Sequence, residues 1–238
     1  MINILWLSLL AGGATVLGGF VACLLPRRDG IVSFFLGQAA GIMLAVTFFE
    51  LYPAAISISG DFAAWSGIFG GLLLMVVLDS FMTRKIGQRG GRGLVQAGVL
   101  IALGIALHDL PEGAAISAGF AAMESLGLIM AAAIGLHNLP EGIAVAVPLL
   151  SAGKKPAQVL LLLALISLCT PLGALAGIYF SRLLSYWLGG LLGAAAGAML
   201  YISLKELIPQ AVGKGRGTAL FGVLSGLAIF FIVRAAGV

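Results

Sequence analysis

Polar side chains are sparse along this chain and fall in clusters, so the sequence reads as long apolar stretches divided by short separators. Eight stretches reach the roughly 20 mostly apolar residues that a helix needs to cross a bilayer. They run over 2–25, 31–56, 62–82, 95–118, 125–149, 156–180, 185–211 and 217–236. The separators carry turn-forming and charged residues: Pro26-Arg27-Arg28-Asp29-Gly30, Gly60-Asp61, Gly153-Lys154-Lys155-Pro156 and Gly213-Lys214-Gly215-Arg216-Gly217. The pattern predicts an all-α membrane protein with eight transmembrane helices. No shift in composition marks a second domain, so residues 1–238 read as a single transmembrane unit.

Composition sharpens this reading. Of 238 residues, 61% are hydrophobic and 9% charged, against roughly a quarter charged in soluble domains. So few charges cannot coat a water-soluble fold, and a disordered chain or a nucleic-acid binder is excluded on the same ground. The formal charge of +4 therefore reports orientation in a membrane. When the loops are placed alternately on two sides, one side receives Arg27, Arg28, Arg84, Lys85, Arg89, Arg92, Lys154, Lys155, Lys214 and Arg216. The other receives only Arg182 and Arg234. The basic side is cytoplasmic, which puts both termini outside an inner or plasma membrane. The first span lacks a preceding positive charge and is followed by Arg27-Arg28, the polarity of a retained helix, not a cleaved leader. Cys23 and Cys169 both lie in apolar runs and do not make a disulfide framework. Gly12-Gly13, Gly18-Gly19, Gly70-Gly71 and Gly189-Gly190, with Gly193 and Gly197, suit close helix packing in lipid.

Two internal similarities stand out. Leu107-His108-Asp109-Leu110-Pro111-Glu112-Gly113 in span four matches Leu136-His137-Asn138-Leu139-Pro140-Glu141-Gly142 in span five. Gly41-Ile42-Met43-Leu44 leading to Glu50-Leu51-Tyr52-Pro53 is echoed by Gly197-Ala198-Met199-Leu200 leading to Glu206-Leu207-Ile208-Pro209. The members of each pair lie on spans that run oppositely. This predicts an inverted repeat of helices 1–3 and 6–8 around a central pair, helices 4 and 5, a recurring transporter design with its substrate site near the midplane. Glu50 then lies in the outer half of its helix and Glu206 in the inner half, as stations on a pathway that Met43 also borders.

The short motif carries the chemistry. His108 and Glu112 are four apart and share a helical face, with Asp109 at its edge, and His137, Asn138 and Glu141 repeat the arrangement. Pro111 and Pro140 each remove a backbone donor, which frees the carbonyls of Leu107 and Leu136 as further oxygen donors. Gly113 and Gly142 are expected to let the two helices approach. Imidazole with carboxylate suits borderline divalent metals such as Zn2+, Fe2+ and Mn2+. An acidic residue at mid-membrane costs about 2.5–3.5 kcal/mol on insertion scales. Asp109, Glu112, Glu141, Glu50 and Glu206, unpaired, would cost on the order of 10 kcal/mol, a penalty that a divalent cation or protons would offset. Asp79, near a cytoplasmic end, reads as a solvated acid, and Lys205 as a side chain reaching for the interface.

At these residues the chain resembles the ZIP family of divalent-metal transporters, in particular its bacterial ZupT-like and GufA-like branch. The resemblance covers the eight spans, the outside termini, the paired His-(Asn/Asp)-x-Pro-Glu-Gly motifs, and the Glu50-Leu51-Tyr52-Pro53 and Glu206-Leu207-Ile208-Pro209 stretches. It implies an importer with a binuclear site between helices 4 and 5. His108, Glu112 and Glu141 would form the transport site, with His137 close by, and Asp109, Glu112, Asn138 and Glu141 its neighbour. Glu50 would reach the cluster from span two. The resemblance also implies an elevator-like movement, a homodimer, and a cargo drawn from Zn2+, Fe2+, Mn2+, Cd2+ and Co2+, with no cofactor. The chain departs from the family pattern at Asp109, where Asn is usual, and at Cys169-Thr170-Pro171, where many relatives have Glu before the Pro.

Two rival readings use the same residues. One is an intramembrane zinc hydrolase, but the usual His-Glu-x-x-His order is here His-x-x-x-Glu with a Pro inside it. The other is a proton-coupled carrier for an organic solute, with the His and Glu residues as a relay.

Overall fold

In the computed structural model of the protein, the described residues are 2–26, 28–86, 94–122, 124–179 and 181–235. Arg27, Arg89 and Arg92, assigned above to the basic side, lie outside them, as do the side chains of Arg84, Lys85 and Arg182. Among the described residues there is no strand. The elements are α1 (Ile2–Leu24), α2 (Asp29–Val46), a π-helical turn (Thr47–Leu51), α3 (Tyr52–Ile86), α4 (Leu94–Ala122), α5 (Glu124–Ser151), α6 (Pro156–Ser167), α7 (Cys169–Tyr179), α8 (Ser181–Ile202), a second π turn (Ser203–Leu207), α9 (Ile208–Lys214) and α10 (Arg216–Ala235).

Among the described residues, six helical stretches are long and apolar enough to cross a membrane, where the sequence predicts eight. The difference has two physical sources. Helical pairing runs on from α2 through α3, so Asp29–Phe81 forms one stretch, although Gly60 sits at φ 75°, ψ 172° in its middle. That backbone is open to glycine and strained for other residues. The last stretch, Arg216–Ile232, is apolar but falls short of full spanning length. The sixth stretch, expected as one helix, is broken at Leu168 into α6 and α7, one residue before Cys169-Thr170-Pro171.

Packing sorts the helices into partners. Helix α3 lies chiefly on α8, α2 on α10, and α1 on α5, while α4 packs on both α5 and α7. Small residues make these approaches close. Gly37 and Gly41 face the carbonyls of Ala219 and Val223, and Gly193 and Gly197 face those of Ala64 and Ile68. Of the glycine pairs noted in the sequence, Gly12, Gly18 and Gly71 also meet backbone, whereas Gly13 and Gly70 face open space. Leu36, Met43, Met75, Ile101, Met199 and Ile202 fill the core. Trp6, Leu10, Phe62 and Ile232 stand exposed on the outside. An apolar core under an apolar exterior is what a helical protein presents when lipid is its solvent.

Candidate metal centre

Both motifs fall within continuous helices: α4 passes through Pro111, and α5 through Pro140 and Pro148. His108, Asp109, Glu112, Asn138 and Glu141 are all buried, at 4% exposure or less. His108 Nε2 lies 2.7 Å from Glu112 Oε1 on the same helix and 3.4 Å from Glu141 Oε1 on the neighbouring one. One imidazole is thus gripped by carboxylates from both motifs. Ligand-type atoms of His108, Asp109 and Glu112 lie within 4.8 Å of one another. With metal–ligand bonds near 2.0–2.2 Å, a small shift of side chains lets one cation touch all three. One oxygen of Glu141 and the amide oxygen of Asn138 are buried with no hydrogen-bond partner, which leaves lone pairs aimed at no protein donor.

Helix α1 builds the far wall. The amide of Asn138 donates to the Ala11 carbonyl at 3.1 Å, which fixes which end of the side chain faces away from α1. The motif glycines, expected to bring α4 and α5 together, instead admit other helices. A Cβ on Gly142 would run into the Thr15 carbonyl of α1, and one on Gly113 into the Thr170 carbonyl of α7. The following contacts repeat the relation: Gly18 of α1 meets the Leu139 carbonyl, and Gly173 of α7 meets that of Leu110. Thr15-Val16-Leu17-Gly18 and Thr170-Pro171-Leu172-Gly173 are therefore equivalent elements, each clasping one motif. Both threonine hydroxyls are fully buried without a partner. The sequence reading missed Thr15; the recurring Thr-x-x-Gly spacing was the available signal.

The other expected residues are spread more widely. The His137 side chain lies outside those described. Glu50 and Glu206 are half-buried on the first and second π turns. Glu206 accepts from Gln210 Nε2 at 3.2 Å. Met43 and Met199 are buried in the core. The Thr47 hydroxyl joins them, 2.7 Å from the Met43 carbonyl and 3.9 Å from Met199 Sδ. Asp79 is not the solvated acid expected: it is half-buried and accepts from Gln96 Nε2 and from the Tyr201 hydroxyl, each at 2.7 Å. Nothing in the sequence around Asp79 signalled partners so distant in the chain.

Comparisons with known proteins identify the family. Residues 85–234, which hold both motifs and Glu206, match the family model described as ZIP Zinc transporter. The zinc transporter ZupT of Corynebacterium glutamicum is 36% identical across 95% of this chain and 95% of its own length. That of Chlorobium luteolum is 37% identical across 94% of each. The zinc transporter ZTP29 of Arabidopsis thaliana is 35% identical across 96% of this chain and 92% of its own. Relatives this similar over nearly their whole length share a fold and a family, and this chain belongs to the ZIP family of transporters.

Proposed function

We propose that the protein imports divalent metal cations, zinc foremost, through a binuclear site between α4 and α5. The observation that carries this is the buried grouping of His108, Asp109, Glu112 and Glu141, with an imidazole and carboxylates from two helices in mutual reach. Such a donor set suits Zn2+, and tolerates Fe2+, Mn2+, Co2+ and Cd2+. His108, Glu112 and Glu141 form the transport site, and Asp109 and Asn138 lie on the side of its neighbour, with His137 completing the second motif. The ion is cargo, so the site holds it without the permanent, fully closed shell of a structural metal.

The same proposal includes eight membrane passes. A straight helix over Asp29–Phe81, 53 residues, would be about 80 Å long in a hydrocarbon layer about 30 Å thick. The chain therefore turns back at Gly60, and α10 supplies the last pass. Both termini face outward, Glu50 stands at the outer mouth, and Glu206 faces the cytoplasmic exit. The clasping of α5 by α1 and of α4 by α7 supports the inverted repeat of passes 1–3 and 6–8. Zinc transporters are also what the relatives named above are called, which favours transport over hydrolysis.

The direct test is uptake into proteoliposomes. Glu112→Ala and Glu141→Ala should each reduce zinc uptake to background while the protein still inserts and purifies as a folded species. Normal uptake by both variants would remove the proposed site.

A further inference from the structure

The first π turn has a partner that the proposed pathway does not use. Pro53 lacks the N–H that would normally bond to the carbonyl four residues earlier, which is that of Phe49. Arg234, near the end of α10, takes that carbonyl instead: its Nη1 donates to Phe49 O at 2.8 Å. The contact is reinforced by aromatic packing. The Phe49 ring lies 6.1 Å from that of Phe230 and 5.0 Å from that of Phe231, the latter edge-on. Phe230 and Arg234 are one helical turn apart, so the end of α10 grips the π turn through a ring and a guanidinium together. Glu50 directly follows the gripped Phe49 within the π turn, and Leu51 and Tyr52 separate it from Pro53. Arginine supports such a contact well, because its charge is permanent and its planar fork keeps the donor aimed.

We propose that Arg234 is a positioning residue for Glu50: by donating to the Phe49 carbonyl it keeps the turn in its π form and sets where the Glu50 carboxylate meets an incoming divalent cation. This rests on the reading of Glu50 as a pathway residue. Arg234 does not itself touch the ion. A one-residue change of helical register rotates a side chain by about 100°, so relaxing the π turn would swing Glu50 away from the mouth without altering the transport site deeper in the membrane. Capture should suffer and the later steps should not.

The experiment measures initial zinc uptake against zinc concentration with the full chain in proteoliposomes. Arg234→Ala should raise KM by about fivefold or more with the maximal rate within about twofold of the wild type. Arg234→Lys, which keeps a donor, should recover most of the change. In a Glu50→Gln background, which should itself have a raised KM, Arg234→Ala should add little, since residues acting as one unit are not additive. A lower maximal rate with unchanged KM would assign Arg234 an ordinary structural role and overturn the proposal. A KM that falls would assign it to charge repulsion at the mouth and overturn the proposal equally. Impaired Glu50→Gln beside a normal Arg234→Ala defeats this inference alone, and normal uptake by Glu50→Gln defeats the pathway reading with it. If Arg234→Ala fails to insert, Arg234→Gln replaces it under the same criteria.

Discussion

At the scale of single residues, the site is governed by what sits between His108 and Glu112. Their nitrogen and oxygen are 2.7 Å apart, a separation that a shared proton can bridge. Metal ligands must be deprotonated to bind, so a cation that takes both atoms displaces that proton. Binding is therefore coupled to proton release and weakens as pH falls, by about tenfold per pH unit for each proton displaced once the ligands are protonated in the free protein. A cation at a hundred times its Kd stabilises a folded protein by about 2.7 kcal/mol. The zinc-induced rise in Tm of the detergent-solubilised protein should accordingly be clear near pH 7.5 and largely lost near pH 5.5. An increment that does not change across that range would break the link between this pair and the ion. Much of this site was legible without coordinates, because carboxylates and imidazoles at regular spacing inside apolar helices have no bland role in lipid. What was not legible was which atoms meet: the contact of His108 with Glu141 depends on how α4 and α5 are rotated, and the α1 wall depends on the Ala11 carbonyl, which carries no side-chain signal.

At the scale of elements, close packing decides what the motif helices can tolerate. The glycines of the two motifs each meet a backbone carbonyl of a different helix, Gly113 that of Thr170 and Gly142 that of Thr15. A methyl group there forces the helices apart, and overpacking of this kind costs about 1–3 kcal/mol. Gly13 and Gly70 sit in helices with nothing near the added methyl, where alanine gains up to about 1 kcal/mol in helix propensity. Gly113→Ala and Gly142→Ala should lower Tm and uptake together, and Gly13→Ala and Gly70→Ala should leave both unchanged or slightly raised. Equal behaviour of the four variants in thermal melts and uptake assays would contradict the packing described. The sequence indicated that glycines mattered but matched them to the wrong partners, because spacing along one helix says nothing about which neighbour lies against it. The two π turns were equally hidden. Glu50-Leu51-Tyr52-Pro53 and Glu206-Leu207-Ile208-Pro209 read as uninterrupted helix, since one extra residue in a turn leaves the run of apolar side chains intact. Their repeated Glu-Leu-x-Pro signature was visible, and π turns recur at functional sites. The break at Leu168 was masked in the same way by a run of leucines.

At the scale of the whole molecule, the number of passes and their direction determine whether the proposed pathway connects two compartments. An unbroken Asp29–Phe81 helix would bury Asp61 in the membrane or force a pass more than twice the bilayer's thickness. In the proposed topology, a turn at Gly60, with its left-handed backbone, would bring Asp61 to the outer surface, on the same side as Glu50 and Arg234. The same topology would put the basic separators opposite; Lys214 pairs with Asp29 at 2.6 Å, joining the start of α2 to the end of α9. An exposed pair of this kind adds little stability, but it ties together two segments that the alternation rule assigns to one side. The two native thiols, Cys23 and Cys169, are free and can be replaced to give a clean background. In it, Asp61→Cys should react with a membrane-impermeant maleimide added to intact cells, and Lys154→Cys should react only after the membrane is permeabilised. Labelling of Lys154→Cys from outside would invert the orientation and turn the proposed importer around. Protection of Asp61→Cys from both sides would mean that α2 and α3 do not fold back at Gly60, and Glu50 would then have no aqueous mouth to stand in.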